Sequence, residues 1–432
     1  MRIAMNVRTR LRLPAVGMLI LIMLFPLASK TITLEQCEES ALLNHPLTDQ
    51  LHWIEMIEDS GLRLANAQYL PKVSLAAKAT RQSEVTSVSI PAAGITLDGS
   101  LNQFQLVGEV NQIVLDGGAV KAQKEAVVAS SAISRAQFAV QMDSVKRAVR
   151  QAYFSVILLD RKLDQLRIMQ KVLADTRAKV TAYLNNGIAT RSDVDALRVE
   201  EINMKSSILE LETEREKTLY TLERMTGMAF GDDVNLGIPE MPEGPVSEDV
   251  SRLRHEFSIY RGQLASLEAQ QKALHASLYP KIQVFAQGGY TQPGLNMLNP
   301  DPSAWWLVGI RGSLALDAYY TYQAHTQTIE SRMEQVGMQV NQFALEEEIR
   351  LHRQLKDIER LKETIELDRE LIALKASMQK ADEAKIETGS LSVSDLIEEM
   401  NEVTLAEMKK AEHEVQLLFA QSELDLITGN GE

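Results

Sequence analysis

Cys37 is the only thiol in 432 residues, so no intrachain disulfide braces this chain. Histidine is scarce too. His45, His52, His255, His275, His325, His352 and His413 include no pair at helical metal-ligand spacing, and no metal site is expected. The sequence also lacks a glycine-rich phosphate loop, a nucleophile elbow and a cysteine cluster. Catalysis is therefore not the expected work, and no cofactor is implied. Aromatics are 5% of the residues against 45% hydrophobic, while Gln, Glu, Ala and Leu recur throughout. That is the vocabulary of long helices packing through aliphatic and small side chains. Glu346-Glu347-Glu348 reads as a solvated helix face.

Basic residues are outnumbered. Arg2, Arg8, Arg10 and Arg12 precede an apolar run from Leu13 to Leu27, and the first acid is Glu35. These 15 residues, broken by Pro14, Gly17 and Pro26, are short for a membrane-spanning helix, so residues 1–29 are expected to be an export signal. Its loss leaves 41 basic side chains against 59 acidic ones, a balance of −18 that excludes broad nucleic-acid binding. Leu34-Glu35-Gln36 places a charge where a lipid-attachment box needs small apolar residues, and Cys37 is expected to be a partly buried free thiol.

Glycine and proline are missing from long tracts. Between Gly118 and Gly187 lie 68 residues with neither, enough for one helix of about 100 Å at ~1.5 Å per residue. Tyr319 to Thr388 matches it, interrupted only by Gly337. After each turn glycine comes a second such tract, 188–226 and 390–428, each of 39 residues. The chain is written twice. Leu70-Pro71-Lys72-Val73 returns as Tyr279-Pro280-Lys281-Ile282, Leu115-Asp116 as Leu316-Asp317, Gly187 with Ser192-Asp193-Val194 as Gly389 with Ser394-Asp395-Leu396, and Thr226-Gly227 as Thr428-Gly429. Such a duplicated helical unit favours a symmetric assembly. Leu197, Met204, Ile208, Leu211, Leu222 and Met225 occupy heptad sites of a coiled-coil seam. Thr33 with Gln36 makes a capping box for a short helix ended by Pro46, and a second helix runs from Leu47 to Gln68.

Between the helices the period falls to two. Phe104, Leu106, Gly108, Val110 and Val114 alternate with Gln103, Gln105, Glu109 and Asn111, and Val73, Leu75, Ala77 and Ala79 alternate with Ser74, Lys78 and Thr80. In the second copy Trp306, Val308, Ile310, Leu314 and Leu316 share one face, and Ile282, Val284, Ala286 and Tyr290 line its partner. The stretches from Pro91 to Ser100 and from Pro293 to Pro302 are turn-rich. Pro71 to Leu115 spans 44 residues and Pro280 to Leu316 spans 36, and most of the excess is expected in the first loop. Four strands with one apolar face suit either a small soluble sandwich or a barrel in lipid. An open sheet in lipid leaves its edges unpaired, so a barrel needs strands from several copies. Trp305 and Trp306 begin the last strand, where an interfacial aromatic girdle sits.

The order, duplication and spacing of these motifs resemble the TolC-like outer-membrane efflux protein family over essentially the whole mature length. Thr31-Ile32-Thr33-Leu34-Glu35-Gln36, Leu70-Pro71-Lys72-Val73, Leu115-Asp116-Gly117-Gly118, Asn186-Gly187 with Ser192-Asp193-Val194, and Thr388-Gly389 with Asp395-Leu396 carry the likeness. The resemblance implies a mainly α fold with a membrane β-barrel. A homotrimer would pool four strands per protomer into twelve, continued by a helical coiled-coil barrel. It implies a partition into a signal at 1–29, periplasmic helices at 30–72, a β-hairpin at 73–116, long helices at 117–226, a linker at 227–255, a helix at 256–280, a second hairpin at 281–317 and long helices again at 318–429.

It further implies an outer-membrane exit duct of a tripartite efflux or type I secretion system in a Gram-negative bacterium. A periplasmic adaptor and an inner-membrane pump would be its partners, docking at the turns around Gly187 and Gly389. Asp395 and Glu398 would line the constriction, and Ser192 and Asp193 would make closed-state contacts at the tip. Leu391 stands where well-known members carry an arginine, a departure in the latch. The residues by themselves leave other readings open. Gly187 and Gly389 suit helix C-caps, Asp193 and Asp395 suit helix N-terminal acids with Ser192 and Ser394 as caps, and Glu398 suits an exposed helical acid. The function from another class is a coiled-coil structural or adhesive envelope protein with no transport activity.

Overall fold

The computed structural model describes residues 31–85, 87–92, 94–231, 234–239, 254–296, 299, 301–387 and 392–428. The expected signal, the centre of the linker and the turn holding Gly389 and Leu391 lie outside them. The capping box of Thr33 and Gln36 starts α1 (Leu34–Asn44), and α2 (Gln50–Ala67) stops short of Pro71. Strand β1 (Lys72–Arg81) then leads through a small hairpin, β2 (Ser87–Ile90) and β3 (Ile95–Asp98), to β4 (Asn102–Leu115). The extra residues of the first copy are thus partly strand rather than loop alone. The tracts without glycine and proline become α3 (Ala119–Asn185) and α4 (Arg191–Thr226), of 67 and 36 residues. After the linker come α5 (His255–Ala276), β5 (Lys281–Gln292) and β6 (Ser303–Ser313). The last two helices, α6 (Asp317–Glu387) and α7 (Val393–Thr428), have 71 and 36 residues. At ~1.5 Å per residue α3 and α6 each run about 100 Å.

Four strands form one antiparallel sheet in the order β1-β4-β5-β6. The two copies meet at β4 and β5, where Gly108 pairs with Gly288 and Val110 with Ala286. The sheet ends at β1 on one side and β6 on the other, and among the described residues neither edge has a further strand.

Among the helices, α3 packs on α1, α2, α4, α5 and α7, while α6 packs on α5 and α7. Towards the far end of α3, Leu166, Met169, Leu173 and Val180 meet Leu197 and Met204 of α4 and Leu396 and Met400 of α7. The expected seam residues Leu197, Met204 and Leu222 are buried there and at the waist. At the waist Tyr153 donates its hydroxyl to the carbonyls of Ile32 (2.9 Å) and Gly237 (2.5 Å), tying the start of the chain and the linker onto α3. Arg150 is buried between Glu38 of α1 and the Ser422 carbonyl of α7. Cys37 is fully rather than partly buried in this core, and burial, with Glu38 and Glu35 nearby, pushes its thiol up to about 12. Glu347 corrects the expectation of a solvated acidic face. It is buried, with Arg350 at 3.0 Å and Arg254 at 3.9 Å.

The join from sheet to stem is built by Leu115-Asp116-Gly117-Gly118. Gly117 has φ +70°, and a Cβ there would sit 2.7 Å from the Ala276 carbonyl oxygen. Asp116 accepts hydrogen bonds from the amides of Gly118 (3.0 Å) and Val120 (2.7 Å) and from the Tyr69 hydroxyl (3.1 Å). Desolvation raises its carboxyl, but these three donors outweigh burial and hold it below the ordinary carboxylate value. A depressed folded value means the stabilisation is full above the ordinary carboxylate range and is lost as pH falls through the folded value. Asp116→Ala removes the cap of α3 and should cost about 1–2 kcal/mol. Denaturant unfolding of the assembled protein at pH 7 checks this, and the gap between wild type and variant should narrow as the pH is lowered.

Candidate conduit wall and periplasmic tip

The sheet has two chemically distinct faces. Val73, Leu75, Phe104, Leu106, Val110, Val284, Tyr290, Trp306, Val308 and Ile310 lie on one, in register across the four strands. All are exposed, Val73, Leu75, Trp306 and Ile310 by three quarters or more. A soluble sandwich would bury this face against a second layer, and among the described residues of this chain no such layer covers it. The other face carries Ser74, Lys78, Gln105, Glu109, Asn111, Gln283, Gln287 and Arg311. Polar inside and apolar outside is the pattern of a membrane barrel wall.

Trp305 and Trp306 do not act together. Neighbours on a strand point to opposite faces, so Trp306 joins the apolar face while Trp305 lies on the polar one. There its Nε1 donates to Thr291 Oγ1 at 2.9 Å. Its ring lies across Gly289, where a Cβ would come within 3.0 Å of it, and the Phe285 ring crosses Gly309 in the same way at 2.9 Å. Each aromatic of the polar face is laid flat over a glycine of the adjacent strand. Of the two tryptophans expected in a girdle, only Trp306 lies on the apolar face.

At the far end of the stem, α3 closes with Gly187 in the left-handed region (φ +75°). The Tyr183 carbonyl accepts from Ile188 and Ala189 beyond it, as a helix C-terminal turn requires. The next helix starts at Thr190, whose hydroxyl and amide pair with Asp193 at 2.7 and 2.8 Å, while the Asp193 amide donates back to Thr190 Oγ1. The second copy repeats this box with Ser392 and Asp395. The caps are therefore Thr190 and Ser392, two residues before Ser192 and Ser394. Capping occupies both aspartates locally. Ser192 is exposed on the first turn of α4. Asp395 and Glu398 are both exposed, one turn apart on α7, on the side away from Leu396 and Met400.

Sequence periodicity marks one seam, on α4, and misses a second on that helix and the exposed stripes of α6 and α2. On α4, Val199, Ile202, Leu209 and Tyr220 are exposed and, at ~100° per residue, point away from Leu197, Met204 and Leu222. On α6, Met338, Leu345, Ile349, Leu367, Leu371, Leu374 and Met378 likewise oppose Leu351, Ile358, Leu361 and Ile365. Trp53, Ile57 and Leu64 extend an exposed stripe along α2. A second apolar register, half a turn from the first, was the available signal. Helices that are greasy on two sides are buried on two sides.

A sheet with one exposed apolar face and one polar face, standing on helices of about 100 Å, has the pattern of one segment of a membrane barrel wall. Residues 39–228 match the outer membrane efflux protein family. The fold is similar to the outer-membrane channel OprN (16% identity, TM-score 0.71, 92% of this chain and 90% of that one). It is similar also to CusC (15%, 0.72, 92% and 92%) and to the outer membrane protein VceC of Vibrio cholerae (16%, 0.68, 92% and 96%). No curated protein matches the chain in sequence. The chain shares the fold of these outer-membrane channels, long helices carrying four antiparallel strands, and residues 39–228 carry the family's sequence pattern.

Asp193→Ala should remove the reciprocal bonds at Thr190 and cost the first turn of α4 about 1 kcal/mol. Hydrogen exchange should quicken at 188–194 and stay unchanged at the waist. Equal exchange in wild type and variant would mean the box does not hold the turn.

Proposed function

We propose that three copies close into one duct, the exit stage of a tripartite efflux or type I secretion machine. The observation that carries this is the sheet: an exposed apolar face between two unpaired edges. In lipid those edges must be paired, and β6 of one copy meeting β1 of the next does so. Two copies would give eight strands, whose interior side chains fill. The charged and amide-rich inner face calls for water, which three copies and twelve strands provide. The far seams of α4 and α6 support the same arrangement, because exposed apolar seams on two different helices suit a heterologous ring. The structural or adhesive alternative leaves the apolar sheet face unexplained.

The turns at Gly187 and Gly389 then form the periplasmic end, roughly 100 Å from the barrel. That end is where an adaptor and an inner-membrane pump would dock and where energy would enter. Threefold symmetry makes Asp395 and Glu398 two stacked acidic rings, which attract cations at a narrow opening.

Purified mature protein should run as a trimer in native mass spectrometry and aggregate when detergent is removed. Deleting 73–115 or 281–317 should abolish membrane insertion. A stable, inserted monomer would sink the ring. In planar bilayers a trivalent cation on the periplasmic side should block the channel, and Asp395→Ala with Glu398→Ala should weaken that block about tenfold. An unchanged block places the constriction elsewhere.

A further inference from the structure

Charge on the sheet runs against charge on the chain. The whole sequence holds 45 basic and 59 acidic residues. The four sheet strands hold Lys72, Lys78, Arg81, Lys281 and Arg311 against the single acid Glu109. Strand alternation puts Arg81 on the apolar face, near the loop end, and the other four bases on the polar face with Glu109. The polar face thus carries four bases against one acid, a surplus of three per protomer.

These bases are also unneutralised. In the stem, cations pair across helices, as in Arg167–Glu212, Arg177–Glu201 and Lys162–Glu412. Among the described residues, Lys72, Lys78, Lys281 and Arg311 have no ion pair. Glu109 is engaged instead by the Asn111 side-chain amide at 2.7 Å. The Arg311 guanidinium sits 4.8 Å from the centroid of the Phe285 ring. Phe285 is opposite Asn111, and Asn111 opposite Lys72. Ammonium, amide, ring and guanidinium therefore form one belt across the sheet. Lys78 stands further along, towards the loop end, in line with Gln105 and Thr291.

We propose that the barrel interior is an anion-binding collar, taking species that carry several phosphate, sulfate or carboxylate groups. It rests on the trimeric-duct reading, under which nine surplus positive charges surround the lumen. Rings of Lys and Arg select anions by their field, and low-dielectric walls focus it. An Arg held on an aromatic face keeps its donors free for a multidentate anion. Phe285, Trp305 and Leu307 on the same face would accommodate an apolar body attached to such groups. The duct then has opposite charge at its two ends, acidic at the tip and basic in the barrel.

The test uses the full mature trimer in planar bilayers with inorganic tripolyphosphate as probe. Added from the extracellular side, it should block conductance at about one tenth of the concentration needed from the periplasmic side, where the acidic tip repels it, and high salt should weaken the block. Lys72→Gln, Lys78→Gln and Arg311→Gln together should raise the half-blocking concentration about tenfold or more. Should that triple variant fail to insert, Lys78→Glu alone, near the extracellular mouth, should weaken the block severalfold. Conductance steps without sided anion block, or a block that the inserted variants retain, overturn the collar. Absence of both trimer and conductance steps would overturn the duct itself.

Discussion

Hydrogen bonding of backbone groups in lipid is the constraint on which the proposed duct depends. A buried N–H or C=O without a partner costs several kcal/mol in hydrocarbon, and a sheet edge presents a row of them. One chain here supplies four strands and leaves β1 and β6 open. In the proposed duct their apolar face meets lipid, so the edges have no water to turn to, association becomes part of folding, and the stem follows the symmetry that the barrel imposes. The second seams on α4 and α6 fit that demand, since a helix at the flank of a protomer becomes an interior helix of the ring.

Duplication makes such a wall economical to encode. Both copies supply a hairpin, a helix of about 100 Å and a 36-residue return helix. The copies differ at the junction below the sheet. The first uses Asp116-Gly117-Gly118 with Asp116 as cap, while the second starts α6 directly at Asp317, with the Tyr319 hydroxyl donating to the Leu278 carbonyl at 2.8 Å. The waist, where the chain start, the linker and α7 converge on Arg150 and Tyr153, holds the copies in one body.

Much of this was legible in the residue order. The lengths of α3, α4, α6 and α7 follow from where glycine and proline are missing, because those residues mark where a helix stops. The faces of the strands follow from a period of two. The turn at Gly187 follows from its neighbourhood. Less legible were features that depend on what stands opposite. Trp305 and Trp306 look alike in sequence, yet one faces the lipid side and the other lies flat over Gly289. Glu347 looks like its solvated neighbours until Arg254, at the end of the linker, is packed beside it.

Sequence by itself determined what local physics controls: helix lengths, strand alternation, the duplicated plan and the chemical character of each face. The structure decided which caps close the tip, since the sequence pointed to Ser192 and Ser394 and the backbone places Thr190 and Ser392 before the helices instead. It decided too that the apolar sheet face stays uncovered and that four bases of the polar face stand without acidic partners. The last two outcomes depend on how residues far apart in the chain are brought together, and no window of local sequence contains both members of such a pair.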